Sequence, residues 1–311
     1  MNGKKSKKIP LFVSIPHSGI KIPSEAYWLR EIDSHILMCD TDAFVDDLYS
    51  PALKEFQIPS VVFEWHRYSV DVNRFSTDIS PLTVEMPEQF LQKDHKWPAR
   101  DQKAKKSFSE LDNCSPIKES YQYTVESQNI KNSPSNIHWH KTTKGDVLIK
   151  KALSKKLHED LIRKYFNPFH KEIKKQIMNL KVQGDKNIYL LDLHSMPSKG
   201  LDFHRDTWEN RKEIVISDNK GKSCSKAFKD IVLKAYRVAG FEVALNWPYT
   251  GGAITQHYGQ PKLGQHILQV ELNRKLYMNE ETKDKSSNYK QVQIQLKQAI
   301  AYIVKNQDKL Y

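Results

Sequence analysis

With 311 residues, 39% of them hydrophobic and 28% charged, the chain has the composition of a folded globular protein with room for a large α/β core. No apolar run approaches the roughly 20 residues that would cross a bilayer, so no membrane partner is expected. The 49 Lys and Arg against 37 Asp and Glu leave a net charge of +12, but many lysines are interspersed with acids at helical spacing and no nucleic-acid-binding motif accompanies them. The excess reads as a solvated surface, and no nucleic acid is expected as a partner.

Residues 1–10, "MNGKKSKKIP", read as a disordered basic lead-in. The apolar run after them is shorter than the core of a secretory signal, so the expected location is the cytoplasm. Residues 11–311 are expected to form a single domain. "LFVSIP" is a short buried strand, stopped abruptly at Pro16-His17-Ser18-Gly19. "DAFVDDLYSPALKEF" carries apolar residues at helical period, and "PSVVFEW" and "YSVDVNR" read as strands. From 76 to about 137 the chain turns polar, as an insertion with short irregular elements would.

A long amphipathic helix then runs through "SKKLHEDLIRKYFNPFHKEIKKQIMNL", with Pro168 expected to kink it. "NIYLLDLHS" and "EIVISDN" are strands, and "SKAFKDIVLKAYRVAG" is a helix closed by Gly240. "FEVALNWPY" is a further strand, followed by a glycine-containing loop. "HILQVELN" is the last strand, and a final amphipathic helix begins near Asn288. Strands alternating with helices imply an α/β fold with a mixed, mostly parallel central sheet and helices on both faces.

Open sheets of this kind bind ligands at the carboxyl ends of their strands. His17, His194, Glu271 and Arg74 all stand at such ends in this reading. Two histidines and a carboxylate, with one position left open, are a common ligand set for a catalytic zinc. Asp40 and Asp42, in "CDTDAFVDDLY", are the candidates for the carboxylate, although either could instead cap the helix that follows. Asp192, two residues before His194, is placed to orient that histidine. Gly251-Gly252 suit close backbone approach, with Gln256, His257 and Tyr258 as polar neighbours. Cys39, Cys114 and Cys224 are far apart and show no metal-binding or disulfide pattern. Neither a serine-nucleophile elbow nor a glycine-rich phosphate loop is present.

The set "VSIPHSG", "DTDAFVDDLY", "YSVDVNR", "LLDLHS", "GGAITQHYGQP" and "LQVELNRKLYMNE", in this order, resembles the N-formylglutamate amidohydrolase family. "HWHKTTKGDVL" adds to the likeness, which runs from about residue 11 to 282 and weakens across 76–137. The resemblance implies a fold similar to zinc-dependent exopeptidases and a Zn2+ ion, or another divalent metal, assisting water attack on an amide. The type reaction converts N-formyl-L-glutamate to formate and L-glutamate, the last step of one histidine-degradation route, so a small anionic amino-acid-derived substrate is implied.

By the same resemblance His17, His194 and Asp42, with Asp40 in reserve, would hold the metal, and Glu271 would be the general base. Asn73, Arg74 and Arg274 would bind the substrate's carboxylates, and His257 would polarise the carbonyl or bind substrate. An amidase or peptidase of the same fold, acting on another acylamino acid or peptide, is the enzyme alternative. A catalytically inactive basic binding protein is the alternative from outside enzymology.

Overall fold

The structure, a computed structural model, describes residues 9–86, 136–202 and 204–310. Residues 1–8 of the lead-in, most of the polar stretch 76–137 and Cys114 lie outside the described residues.

Six strands form one sheet: β1 (Leu11–Ile15), β2 (Ser60–Val62), β3 (Ile188–Met196), β4 (Ile214–Ser217), β5 (Val243–Leu245) and β6 (Gln265–Asn273). Their order is β2-β1-β3-β6-β4-β5. Every neighbouring pair is parallel except β4 against β6, so the sheet is mixed and mostly parallel, as expected.

Helices cover both faces because the three central strands are apolar on both sides. On one face Leu11, Val13, Leu191, Leu193, Leu268 and Val270 meet three helices. These are α2 (Val45–Glu55), α5 (Lys226–Val238) and α7 (Tyr289–Lys305). Each fully buried Leu, Ile or Phe in such a layer contributes about 1.5–3 kcal/mol of transfer free energy. A hydrogen bond of 2.8 Å between the hydroxyls of Tyr49 and Tyr236 ties α2 to α5.

The opposite face carries Phe12, Leu190 and Ile267 against a long helical rod and α6 (Ala253–Tyr258). The rod runs from α3 (Lys155–Leu161) into α4 (Asn167–Val182). A single π-turn over Ile162–Phe166 joins them, with Asn167 donating back to the Ile162 carbonyl. The expected disturbance at Pro168 therefore takes the form of a widened turn just ahead of it. A four-residue helix, α1 (Ser34–Leu37), precedes the Asp40–Asp42 loop.

The second face changes character along its length. In β1 it passes from Phe12 to Ser14, in β3 from Leu190 to Asp192 and His194, and in β6 from Ile267 to Gln269, Glu271 and Asn273. All six of these polar residues are buried. The apolar half is core, and the polar half is the floor of a site at the sheet's carboxyl edge.

One strand expectation is corrected. "YSVDVNR" is a run of buried turns, with Ser69 donating to the His66 carbonyl and Arg74 to that of Asp71. Val70 and Val72 enter the second core layer while Ser69, Asp71 and Asn73 are equally buried. Alternation there reflects two occupied sides of a turn, not a pleat. The closing helix begins after Asn288 and Gly240 follows α5 at φ +93°, both where the sequence puts them.

Three histidines away from the sheet edge are buried without charge. His138 Nδ1–H donates to the Ser69 carbonyl at 2.8 Å, so His138 Nε2 accepts from His158 Nδ1–H at 2.8 Å. Burial pushes His138 down to about 3 and His158 down to about 4. Burial also pushes His66 down to about 4. Below the ordinary value of 6.5 the unfolded chain takes up protons that these folded side chains refuse, so stability falls as pH drops from about 6.5 toward 4. Thermal unfolding followed by circular dichroism between pH 7 and pH 4.5 should show this decline (a window about where these histidines, and few carboxylates, titrate). His158→Gln, which keeps a donor toward His138 and removes one titration, should make it shallower.

Candidate active site

The site is assembled from five segments. His17 follows β1, Asp42 precedes α2, Asp71 and Asn73 lie in the buried turns, and His194 and Glu271 sit opposite each other in the β3–β6 register. The Asp42 amide donates to the His17 carbonyl at 3.0 Å, which fixes two of these segments to each other by backbone alone.

His17, Asp42 and His194 are all buried, and one potential ligand atom from each lies within 4.8 Å of the others. Nδ1 of His194 is 3.0 Å from Asp42 Oδ2, and Nδ1 of His17 is 3.5 Å from the same oxygen. On their far sides, His17 Nε2–H donates to Asp71 Oδ1 at 2.7 Å and His194 Nε2–H donates to Asp192 Oδ2 at 3.0 Å. A carboxylate only accepts, so each outer nitrogen holds a proton, and each inner nitrogen, which faces Asp42, would present its lone pair to a cation that took the place of a proton there. Metal-binding histidines are oriented in this way.

The outer carboxylates are themselves held. Asp192 accepts from Ser14 Oγ at 2.6 Å. Asp71 accepts from Arg67 and from Trp139 Nε1 at 2.9 Å each, and from the Asn73 amide. Although burial favours its neutral form, His17 and Arg67 hold Asp71 well below the usual carboxylate range.

Charge gives the same answer as geometry. Asp42, Asp71, Asp192 and Glu271 are buried acids facing two buried guanidiniums, Arg67 and Arg274. Burial alone would keep His194 neutral, yet Asp192 and Asp42 raise it well above its ordinary value, so the cluster draws in positive charge. Two imidazoles and a carboxylate converging on such a point are suited to a divalent cation.

Glu271 stands beside this cluster and accepts from Gln269 Nε2 at 2.7 Å. Burial pushes its carboxyl up to about 7, against the pull of His194, with the Asp42 charge adding to the rise. A carboxyl poised there can take and return a proton near neutral pH. Gln269 is fixed in turn by the Gly252 amide, which donates to Gln269 Oε1 at 2.6 Å. A Cβ at Gly252 would fall 2.5 Å from Asn73 Nδ2, so glycine is required for this approach.

The remaining residues singled out by sequence are placed as follows. Asn73 Nδ2 lies 3.1 Å from His194 Nε2, and Asn73 Oδ1 accepts from the Ile254 amide at 2.9 Å. Arg274 adjoins the cluster but faces inward. It donates to Asp42 Oδ1 at 3.0 Å, Ser195 Oγ at 3.1 Å and the Cys39 carbonyl at 3.1 Å. Its position makes it a brace for Asp42. Arg74 is half-buried, with one long contact to the Asn73 carbonyl and an Nε that has no hydrogen-bond partner among the described residues. Asp40 turns away from the cluster, accepting from Tyr68 Oη and from the Thr143 amide and hydroxyl. His257 is exposed on α6 with its ring edge-on to Tyr258, and no described hydrogen bond links its ring to the cluster. Asp71, Arg67, Trp139 and Gln269 escaped the sequence reading. Asp71 and Gln269 stood inside quoted motifs, two residues from Asn73 and Glu271, and that spacing was the available signal.

A mixed α/β sheet with two oriented histidines, an ionised aspartate and a proton-accepting glutamate at one edge is equipped for hydrolysis. The N-formylglutamate amidohydrolase profile matches residues 9–278. The chain is 24% identical over 281 residues to an N-formylglutamate deformylase of Pseudomonas aeruginosa, covering 89% of this chain and 85% of that protein. It is 22% identical over 284 residues to the Pseudomonas putida N-formylglutamate deformylase, covering 88% and 83%. In fold it is similar to the crystal structure of an N-formylglutamate amidohydrolase from Ralstonia eutropha, with TM-score 0.74, 21% identity and coverage of 99% and 97%. The class is that of hydrolases acting on carbon–nitrogen bonds other than peptide bonds. Within it, the chain belongs to the N-formylglutamate amidohydrolase family.

Because Asp71 orients His17, Asp71→Asn should weaken divalent-metal binding by about 10- to 100-fold. Competition against a chromophoric chelator reads this directly, and an unchanged affinity would remove Asp71 from the site.

Proposed function

We propose that the protein hydrolyses the formamide bond of N-formyl-L-glutamate, giving formate and L-glutamate, and that it does so with a divalent metal, Zn2+ first, held by His17, Asp42 and His194. Family membership and the activity for which its relatives are named support the substrate. The observation that carries the chemistry is Glu271, buried, raised to about 7 and set across from His194 in the sheet register.

A divalent ion at the three ligands would lower the pKa of water toward about 7 and polarise the scissile carbonyl. Glu271 takes the proton from the attacking water. It then returns that proton to the nitrogen, so the amine leaves neutral. Gln269 holds one Glu271 oxygen, which leaves the other free to face the reacting atoms. Arg274 holds Asp42 in place, while His17 and His194 hold its carboxyl well below the usual carboxylate range. Arg74, with its Nε unpaired and its guanidinium lightly held, is the group for an anionic end of the substrate.

The test is turnover of N-formyl-L-glutamate, with other N-formyl and N-acyl amino acids alongside, before and after chelation and restoration of metal. Glu271→Gln should lose at least about 10²-fold in kcat while metal content is retained. Arg74→Gln should chiefly raise KM, as removal of a substrate-carboxylate contact does. A metal-replete protein inert toward N-formyl-L-glutamate would overturn the substrate, and an unaffected Glu271→Gln would overturn the mechanism.

A further inference from the structure

Arg211 and Tyr249 both feel the Glu271 charge and have no part in the mechanism above. The Arg211 guanidinium grips both oxygens of buried Asp206, at 2.6 and 3.0 Å, and a third nitrogen donates to Tyr249 Oη at 2.9 Å. A guanidinium can only donate, so Tyr249 Oη is the acceptor in this pair. Its own proton is therefore available, and among the described hydrogen bonds Tyr249 Oη donates none.

The backbone of Arg211 is fastened to β6 directly, and that of Tyr249 to its neighbour β4, at levels on either side of Glu271. Asn273 Nδ2, two positions beyond Glu271 on the same strand face, donates to the Arg211 carbonyl at 3.1 Å. Ser217 Oγ donates to the Tyr249 carbonyl at 2.8 Å, and Ser217 pairs with Gln269, two positions before Glu271. The segment carrying Tyr249 then continues to Gly252, whose amide binds Gln269. Burial, and the Glu271 charge, hold the Tyr249 phenol above its ordinary value against the opposing charge of Arg211, so it keeps its proton at neutral pH.

We propose that Tyr249, polarised and aimed by Arg211, donates a hydrogen bond to the carbonyl oxygen of the scissile amide as that oxygen becomes an oxyanion. The proposal rests on the hydrolytic reading above. A proton-accepting carboxylate must lie against the attacking water, so a phenol whose segment runs from β4 Ser217 to Gln269, beside that carboxylate, and whose hydroxyl is held by an arginine tied to Asn273, is placed to meet the attacked carbonyl. The phenol keeps its proton throughout, and no bond to it forms or breaks. Arg211 touches no substrate and is a positioning residue. Such an interaction strengthens as charge develops and adds little to ground-state binding.

The experiment is steady-state kinetics of metal-replete Tyr249→Phe on N-formyl-L-glutamate. A loss of about 10²-fold in kcat, with KM within about 3-fold, is expected for removal of one oxyanion donor. Arg211→Lys should lower kcat in the same manner. The double variant should be no slower than Tyr249→Phe alone, because Arg211 acts through the phenol. Replacement of Tyr249 by 3-fluorotyrosine, which keeps the shape and acidifies the phenol, should move the alkaline limb of the kcat profile to lower pH. That shift tests the role even if the phenylalanine variant folds poorly. Wild-type turnover with full kcat in Tyr249→Phe, or a rise in KM alone, would overturn this inference and leave the hydrolase reading intact. Absence of wild-type turnover would overturn both.

Discussion

The register between β3 and β6 is the constraint on which the site depends. Pairing Ile188 with Gln265 puts Asp192 beside Gln269 and His194 beside Glu271, all on one face. A slip of one residue in either strand would send that strand's pair into the opposite, largely apolar layer under α2, α5 and α7. Burial on both faces fixes that register, because every residue of both strands is buried and the apolar ones alternate into two different cores. The hydrophobic core and the catalytic geometry are thus set by one alignment.

That alignment requires four acids to be buried close together, which is expensive unless each is paired. The structure meets the cost locally. Asp42 is braced by Arg274, Asp71 by Arg67, and Asp192 by Ser14, with the histidines taking the remaining oxygens. Glu271 is the exception. Its firm partner is a neutral amide, and burial raises its carboxyl to about 7. The acid proposed to change protonation is the one with neither a guanidinium nor an imidazole hydrogen-bonded to it among the described residues.

Much of this was legible in the sequence because strand ends in open sheets converge. The apolar runs before His17 and His194, and the one around Glu271, announced three buried strands, and the alternation of strands with helices announced their layering. The choice of Asp42 over Asp40 was not legible in that way. Both stand before a helix, and which one turns inward depends on Arg274 reaching across from the end of β6, a separation of 232 residues. Arg274 illustrates the same limit from the other side. Its residue type suggested a clamp for anions, but a guanidinium that meets three buried acceptors inside the protein has its donors already engaged.

Asp71 shows why local pattern failed where topology succeeded. In "YSVDVNR" the valines alternate with polar residues, which is the signature of a half-buried strand with a wet face. In the fold both sides are buried: the valines in the core layer, and Ser69, Asp71 and Asn73 against the site and its supports. A sequence cannot distinguish a solvent-facing polar row from one that faces a buried charge, since both require the same residue types. The distinction comes only from what the chain brings opposite. Here that is an imidazole 54 positions earlier and an indole 68 positions later, both hydrogen-bonded to the one carboxylate that orients His17.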